Sequence, residues 1–144
     1  MIAEWWDDLA TSNELIDSQH KELFKRINSL LIACEARKGE DEIGNLLQFL
    51  TNYVKTHFSD EEALQLKTAY PLYKEHRIEH DAFIAKLILI ENQFKAEGPS
   101  FLVTVNAGKM ALQWLVNHIY LSDKKMAEFI NNTEQKFPSP HTDV

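Results

Sequence analysis

The chain has one cysteine, Cys34, which excludes an intramolecular disulfide and removes any demand for an oxidising compartment. It has no long apolar run. Its most apolar stretch, Phe83 to Ile90, is short and interrupted by Lys86, so it reads as a core helix rather than a membrane span. The opening residues Met-Ile-Ala-Glu-Trp-Trp-Asp-Asp lack the basic and apolar regions of a secretory signal, and the expected location is cytoplasmic. Basic residues are in deficit, with 15 Lys and Arg against 22 Asp and Glu, a formal charge of −7. That balance repels a phosphate backbone and an anionic lipid surface, so neither nucleic acid nor a membrane is an expected partner. Only four glycines and four prolines are present, and they fall between periodic segments as punctuation. No strand pattern and no internal repeat is evident.

Apolar residues make up 44% of the 144, enough for a single domain with its own core. Residues 1–16 lack a helical period but carry Trp5, Trp6, Leu9 and Ile16, and read as an ordered arm packed across a bundle. Asp17 or Ser18 is the expected cap of a first helix whose stripe runs His20, Leu23, Phe24, Ile27, Leu30, Leu31 and Cys34, with Gly39 ending it. A second helix opens near Asp41 and continues through His57 and Glu61, stopping before Tyr70-Pro71. Pro71 is expected as the first residue of a third helix bearing His76, His80, Phe83 and Leu87, closed by Gly98-Pro99. A fourth runs from about Phe101 to Tyr120, and a short fifth follows Asp123. The expected architecture is all-α: an antiparallel up-down four-helix bundle over residues 1–136, with an N-terminal arm, a short C-terminal helix and a loose tail at 137–144.

Five of the six histidines sit on the inward stripes of these helices. His57 and Glu61 are four apart, as are His76 and His80, so each pair shares a helix face. In an antiparallel bundle the start of the first and third helices lies level with the end of the second and fourth. His20, His57, His76 and His118 therefore fall in one layer. Burying so many polar groups is costly unless something satisfies them together. Imidazole with carboxylate and no thiolate suits iron, and less well manganese, copper or zinc. Seven ligands, two of them able to bridge, describe a pair of metals. Cys34, roughly 20 Å along its helix from His20, is no ligand and reads as core filler.

One spacing resists a plain helix. His118 and Asp123 are five residues apart, which at ~100° per residue turns them about 140° from one another. Both can face one site only if the fourth helix ends there or carries a π-type bulge. Asp123 also has a plain alternative reading as the N-cap of the last helix, ahead of Lys124 and Lys125. Asp60, Glu62 and Glu79 read as solvated face residues, and His141 as part of the tail.

Taken in order, Ile16-Asp-Ser-Gln-His20, His57-Phe-Ser-Asp-Glu61-Glu62, Tyr70-Pro71 before His76-Arg-Ile-Glu-His80, and Trp114-Leu-Val-Asn-His118 with Asp123 resemble the hemerythrins, specifically the single-domain bacterial type. The resemblance spans nearly the whole chain. It implies that His76, His80 and His118 bind one iron and that His20 and His57 bind a second, which keeps an open position. It implies that Glu61 and Asp123 bridge two iron ions together with an oxo or hydroxo group. Dioxygen is then the implied ligand, in a pocket walled by Leu23, Phe58, Trp114, Leu115 and Ile119, with Gln65 near it. Gln65 stands where the family usually has methionine, and Ser12 where the arm usually has glycine.

The implied function is reversible dioxygen binding by a carrier or store that is not an enzyme. Two alternatives stand beside it: an oxygen or redox sensor acting through an unidentified protein partner, and a diiron peroxidase or oxidase. Diiron enzymes of the four-helix class are rich in carboxylates, whereas this set is rich in histidine, which disfavours the last.

Overall fold

The computed structural model describes residues 5, 7–98 and 101–136. A 3-10 turn at Asp7–Leu9 precedes α1 (Glu14–Glu35), α2 (Glu40–Lys67), α3 (Tyr73–Glu97) and α4 (Phe101–His118). A π turn, Ile119–Asp123, then leads into α5 (Lys124–Lys136). There is no strand among the described residues. No helix among them is long and apolar enough to cross a membrane. The tail expected at 137–144, His141 and Trp6 lie outside the described residues.

Helix α1 packs on α2 and α4, and α2 also packs on α3, as expected for an up-down bundle. The main core runs through the bundle on Leu23, Phe24, Ile27, Leu30, Leu31, Leu47, Leu50, Phe58, Phe83, Leu87, Leu115 and Ile119. Each such side chain contributes about 1.5–3 kcal/mol through burial. A smaller cluster, Ile16, Tyr70, Met126, Ala127 and Ile130, covers the end of the bundle where α5 returns. Gly108 lets α4 approach α1 closely, since a Cβ there would lie 2.6 Å from Leu31 Cδ2.

The helix ends differ from the expected ones in informative ways. Helix α1 starts one turn earlier, because Asn13 caps it by accepting a hydrogen bond from Ile16 N at 3.2 Å. Ser12, at φ 61°, turns the chain into that cap. Asp17 does not cap the helix but holds the arm. Its Oδ1 accepts from Thr11 N at 2.9 Å and Thr11 Oγ1 at 2.8 Å, folding the arm back on the helix.

Gly39 does not stop α1. Arg37 takes the left-handed conformation at φ 54°, with Lys38 N bonding Ala33 O and Arg37 N bonding Cys34 O. Gly39 instead stands at the N-cap of α2. The end of α2 repeats the device with Ala69 at φ 57°, Tyr70 N bonding Gln65 O and Ala69 N bonding Leu66 O. Both are the closing hydrogen-bond pattern that more often uses glycine. Pro71 is not helical. It sits inside the turn closed by Tyr73 N and Tyr70 O at 3.2 Å, where its fixed φ suits the second turn position, and α3 begins at Tyr73. Gly98, at φ 76°, ends α3 as expected.

The arm is ordered where described. Leu9 is fully buried in the core, and Trp5 packs edge-on against Phe24 at 5.8 Å between ring centres. Three hydrogen bonds tie the arm to α5 and its start: Lys124 Nζ to Asp8 O, Asn131 Nδ2 to Thr11 O, and Asn13 Nδ2 to Asn131 Oδ1.

Candidate metal centre

All five inward histidines are buried, and so are Glu61 and Asp123. His20 lies near the start of α1, His57 and Glu61 near the end of α2, His76 and His80 near the start of α3, and His118 closes α4. The antiparallel order brings them into one layer. The π turn supplies what a regular helix cannot. Lys124 N bonds Ile119 O, five residues back, and the extra residue carries Asp123 round to the side of His118. The backbone is right-handed helical on both sides of the turn, at His118 and Lys124, so there is no fresh helix start for Asp123 to cap.

The donor atoms fall into two groups that share both carboxylates. His80 Nε2 and His76 Nε2 lie 3.1 and 3.0 Å from His118 Nε2. On their side stand Glu61 Oε1, 3.2 Å from His80 Nε2, and Asp123 Oδ1, 2.9 Å from His76 and 3.0 Å from His118. The opposite oxygens turn to the other group. Glu61 Oε2 lies 3.0 Å from His57 Nε2 and 3.4 Å from His20 Nε2, and Asp123 Oδ2 lies 3.0 Å from His20 Nε2. Within each group one donor atom per residue falls within 4.8 Å of every other.

Among the three imidazoles of the first group, His118 Nε2 is within hydrogen-bond reach of both His80 and His76, but the remaining donor atoms have no such partner. His20 Nε2, His57 Nε2 and all four carboxylate oxygens are buried and lack a hydrogen-bond partner. Orphaned polar atoms of this kind carry a heavy penalty, and their lone pairs converge on two points. A pair of cations answers both facts.

The electrostatics point the same way. Burial alone would raise the Glu61 carboxyl, but His57, His20 and His76 around it hold it well below the usual carboxylate range. Burial and Glu61 both work to raise Asp123, yet His118 and His20 hold it well below that range too. Burial lowers His20 and His76, but Asp123 and Glu61 outweigh it and lift them to about 9 and about 10. Two buried carboxylate anions thus demand positive charge, which protons on imidazole supply when no metal does.

The far nitrogens of three histidines are held from outside. His57 Nδ1 meets Gln19 Oε1 at 2.7 Å, and Gln19 Nε2 donates to Asp60 Oδ2 at 2.7 Å. His80 Nδ1 meets Glu62 Oε2 at 3.0 Å, and His118 Nδ1 meets Glu79 Oε2 at 2.9 Å. Each contact favours the tautomer that leaves Nε2 free toward the centre. Asp60, Glu62 and Glu79 are therefore not merely solvated face residues, and Gln19 joins them. Their signal in the sequence is adjacency: Gln19, Glu62 and Glu79 each neighbour a candidate ligand. Which helix face each presents depends on the bundle's rotation, which the stripe pattern alone leaves open.

Of the residues expected to wall a pocket, Leu23, Phe58, Leu115 and Ile119 are buried in the main core, and Trp114 is partly buried against it. Phe58 stacks on His80 at 3.7 Å with planes 4° apart, and Trp114 stacks on His118 at 4.4 Å and 12°. Gln65 is placed apart from this group. It lies one turn beyond Glu61, with Nε2 donating to Met126 Sδ at 2.8 Å in the end cluster and Oε1 buried without a partner.

Fold and site together define a helical-bundle protein with a buried histidine–carboxylate centre suited to two metal ions. The family model described as the hemerythrin HHE cation binding domain matches residues 11–130. The chain belongs to the hemerythrin family. It is 32% identical over 117 residues to a bacteriohemerythrin of Methylococcus capsulatus (strain ATCC 33009 / NCIMB 11132 / Bath), covering 81% of this chain and 87% of that one. It is 26% identical over 137 residues to a bacteriohemerythrin of Stenotrophomonas maltophilia (strain R551-3), covering 95% and 87%. A crystal structure of wild-type hemerythrin superposes with a TM-score of 0.83 at 29% identity, covering 90% of this chain and 98% of the other.

Proposed function

We propose that this protein binds dioxygen reversibly at a non-haem diiron centre held by His20, His57, Glu61, His76, His80, His118 and Asp123. The observation that carries the reading is the division of the donors: three imidazole nitrogens on one side, two on the other, and each carboxylate turning one oxygen to each. Iron fits a donor set of imidazole and carboxylate without thiolate. A bound pair of iron ions with an oxo or hydroxo group would supply the reversible electron transfer that dioxygen binding needs.

The side chains do the rest. His76, His80 and His118 fill one side of the centre with nitrogen. His20 and His57 supply one nitrogen fewer, and that shortfall leaves room for an external ligand. Leu23, Phe58, Trp114, Leu115 and Ile119 would keep water away from the centre and so slow proton delivery to it. Glu62, Glu79 and the Gln19–Asp60 pair hold the imidazoles from behind. The five imidazoles set against two carboxylates favour a carrier or store over an oxygen-activating enzyme. No nucleic acid or membrane takes part, and the protein works in the cytoplasm.

A second reading, an oxygen or redox sensor, draws on one feature. The arm is bonded to Lys124, next to the candidate ligand Asp123, and Trp5 lies 6.5 Å from the His20 ring. A change at the centre would then reach the arm.

The deciding experiment is anaerobic reduction of the iron-loaded protein followed by exposure to oxygen, read by visible absorption with iron counted per chain. Two irons and a spectrum that returns on removing oxygen support the carrier. One metal per chain, or a preference for zinc, sinks the diiron reading. Irreversible oxidation with turnover of an added reductant favours an enzyme. A sensor would show protease sensitivity in the arm that follows the oxidation state.

A further inference from the structure

One carboxylate oxygen outside the ligand set makes two contacts. Glu79 Oε2 accepts a hydrogen bond from Ser122 Oγ at 2.9 Å and lies 2.9 Å from His118 Nδ1, within ion-pair distance. Glu79 belongs to α3, one residue before His80. Ser122 lies inside the π turn, one residue before Asp123. We propose that Glu79 and Ser122 are positioning residues that tether the π turn to α3 and so keep Asp123 turned onto both halves of the centre. The proposal rests on the metal-binding reading for its purpose, though not for its geometry.

The turn needs such a tether. A π turn is rare and carries one residue more than an α turn, so the segment has a regular α-helical alternative. Taking it would rotate Asp123 by about 100° away from the histidines. Packing resists this only in part. Ile119 and Asp123 are buried, but Tyr120 and Leu121 are exposed by 55% and 70% and anchor little. Across α3 from the turn, the Ser122–Glu79 bond supplies a hold that packing does not. The same oxygen lies beside His118 Nδ1, which favours a proton on that nitrogen and turns the Nε2 lone pair toward the centre. Glu79 thus orients one candidate ligand directly and a second through the turn.

The test uses the full chain with Glu79→Ala, Ser122→Ala, the double variant and Glu79→Gln. Two quantities are measured: backbone hydrogen exchange in the metal-free protein, and the rate at which iron passes from the loaded protein to a chelator. Both alanine variants are expected to speed exchange at residues 119–124 while leaving mid-α1 amides unchanged, and to speed iron release by about tenfold. The double variant should be no faster than Glu79→Ala, because Ser122 acts only through Glu79. Glu79→Gln, which keeps a hydrogen-bonding group, should recover much of the loss. Wild-type exchange and release in Ser122→Ala would overturn the tether, and so would additive effects in the double variant. A wild-type chain that holds no iron pair, yet shows the exchange change, would sink the metal reading and leave the tether standing.

Discussion

Asp123 Oδ1 lies 3.0 Å from His118 Nε2 although five residues separate them, because the chain between them is a π turn. The same carboxylate reaches His20 with its other oxygen, also at 3.0 Å. One irregular turn therefore joins the end of α4 to the start of α1, and together with Glu61 makes the centre one site rather than two.

His57 belongs to the side with fewer nitrogens, where His20 is the other nitrogen ligand among the described residues. In His57→Ala, the three-histidine side should keep its metal while the other loses affinity. Iron per chain, measured by plasma emission after desalting, should fall from two toward one. The reversible response of the visible spectrum to oxygen should vanish. Retention of that response would show the assignment of His57 to be wrong.

Metal loading should release protons. His20 and His76 are lifted from 6.5 to about 9 and about 10 in the metal-free protein, so at pH 7 both carry a proton that a metal must displace. A pH-stat should record base uptake as metal is added at pH 7, and much less near pH 10. Loading without proton release at pH 7 would contradict the charge state described above.

The same shifts set the pH dependence of the metal-free fold. A raised pKa in the folded state contributes stability that is complete below the unfolded value of 6.5 and is lost as pH rises through about 9 to 10. The urea midpoint of the chelator-treated protein should therefore fall between pH 7 and pH 10. The loaded protein, whose histidines hold metal instead of protons, should show a smaller fall. Equal falls in the two forms would rule this origin out.

Gln65 is buried with an unpartnered Oε1 and only a weak sulfur acceptor, Met126, for its amide protons. A buried unsatisfied acceptor costs about 1–3 kcal/mol. Gln65→Met, of similar volume, should raise stability by about 1 kcal/mol, seen as a higher denaturant midpoint at unchanged slope. A drop in stability would mean that the amide oxygen has a partner worth keeping.

Ala69 closes α2 at φ 57°, a conformation costing a side-chain-bearing residue about 1–2 kcal/mol relative to glycine. Ala69→Gly should stabilise the fold by about 1 kcal/mol, after allowance for the freer unfolded chain. Thermal unfolding of the two forms under identical loading checks it, and a lower midpoint in the variant would refute it.

Much of the molecule is legible in its sequence. The stripes of α1 to α4 and the spacings of His57 with Glu61 and His76 with His80 follow from helical period alone. So does the conflict between His118 and Asp123, which requires a distortion and receives one. The helix ends are harder to read. Asn13, Arg37 and Ala69 fill places that point to Asp17 and Gly39 by composition or that glycine usually takes, since a closing hydrogen-bond pattern can hold a left-handed residue of almost any kind. Periodicity does not show that Glu79 and Glu62 reach behind His118 and His80, or that Gln65 faces Met126. A sequence determines which residues share a face of one helix, because the spacing between them is local and covalent. Only the tertiary structure decides how four such faces are rotated and levelled against each other, because that depends on side-chain packing across the whole core. The donors of the centre belong to the first kind of information. Their division into two groups sharing Glu61 and Asp123 belongs to the second.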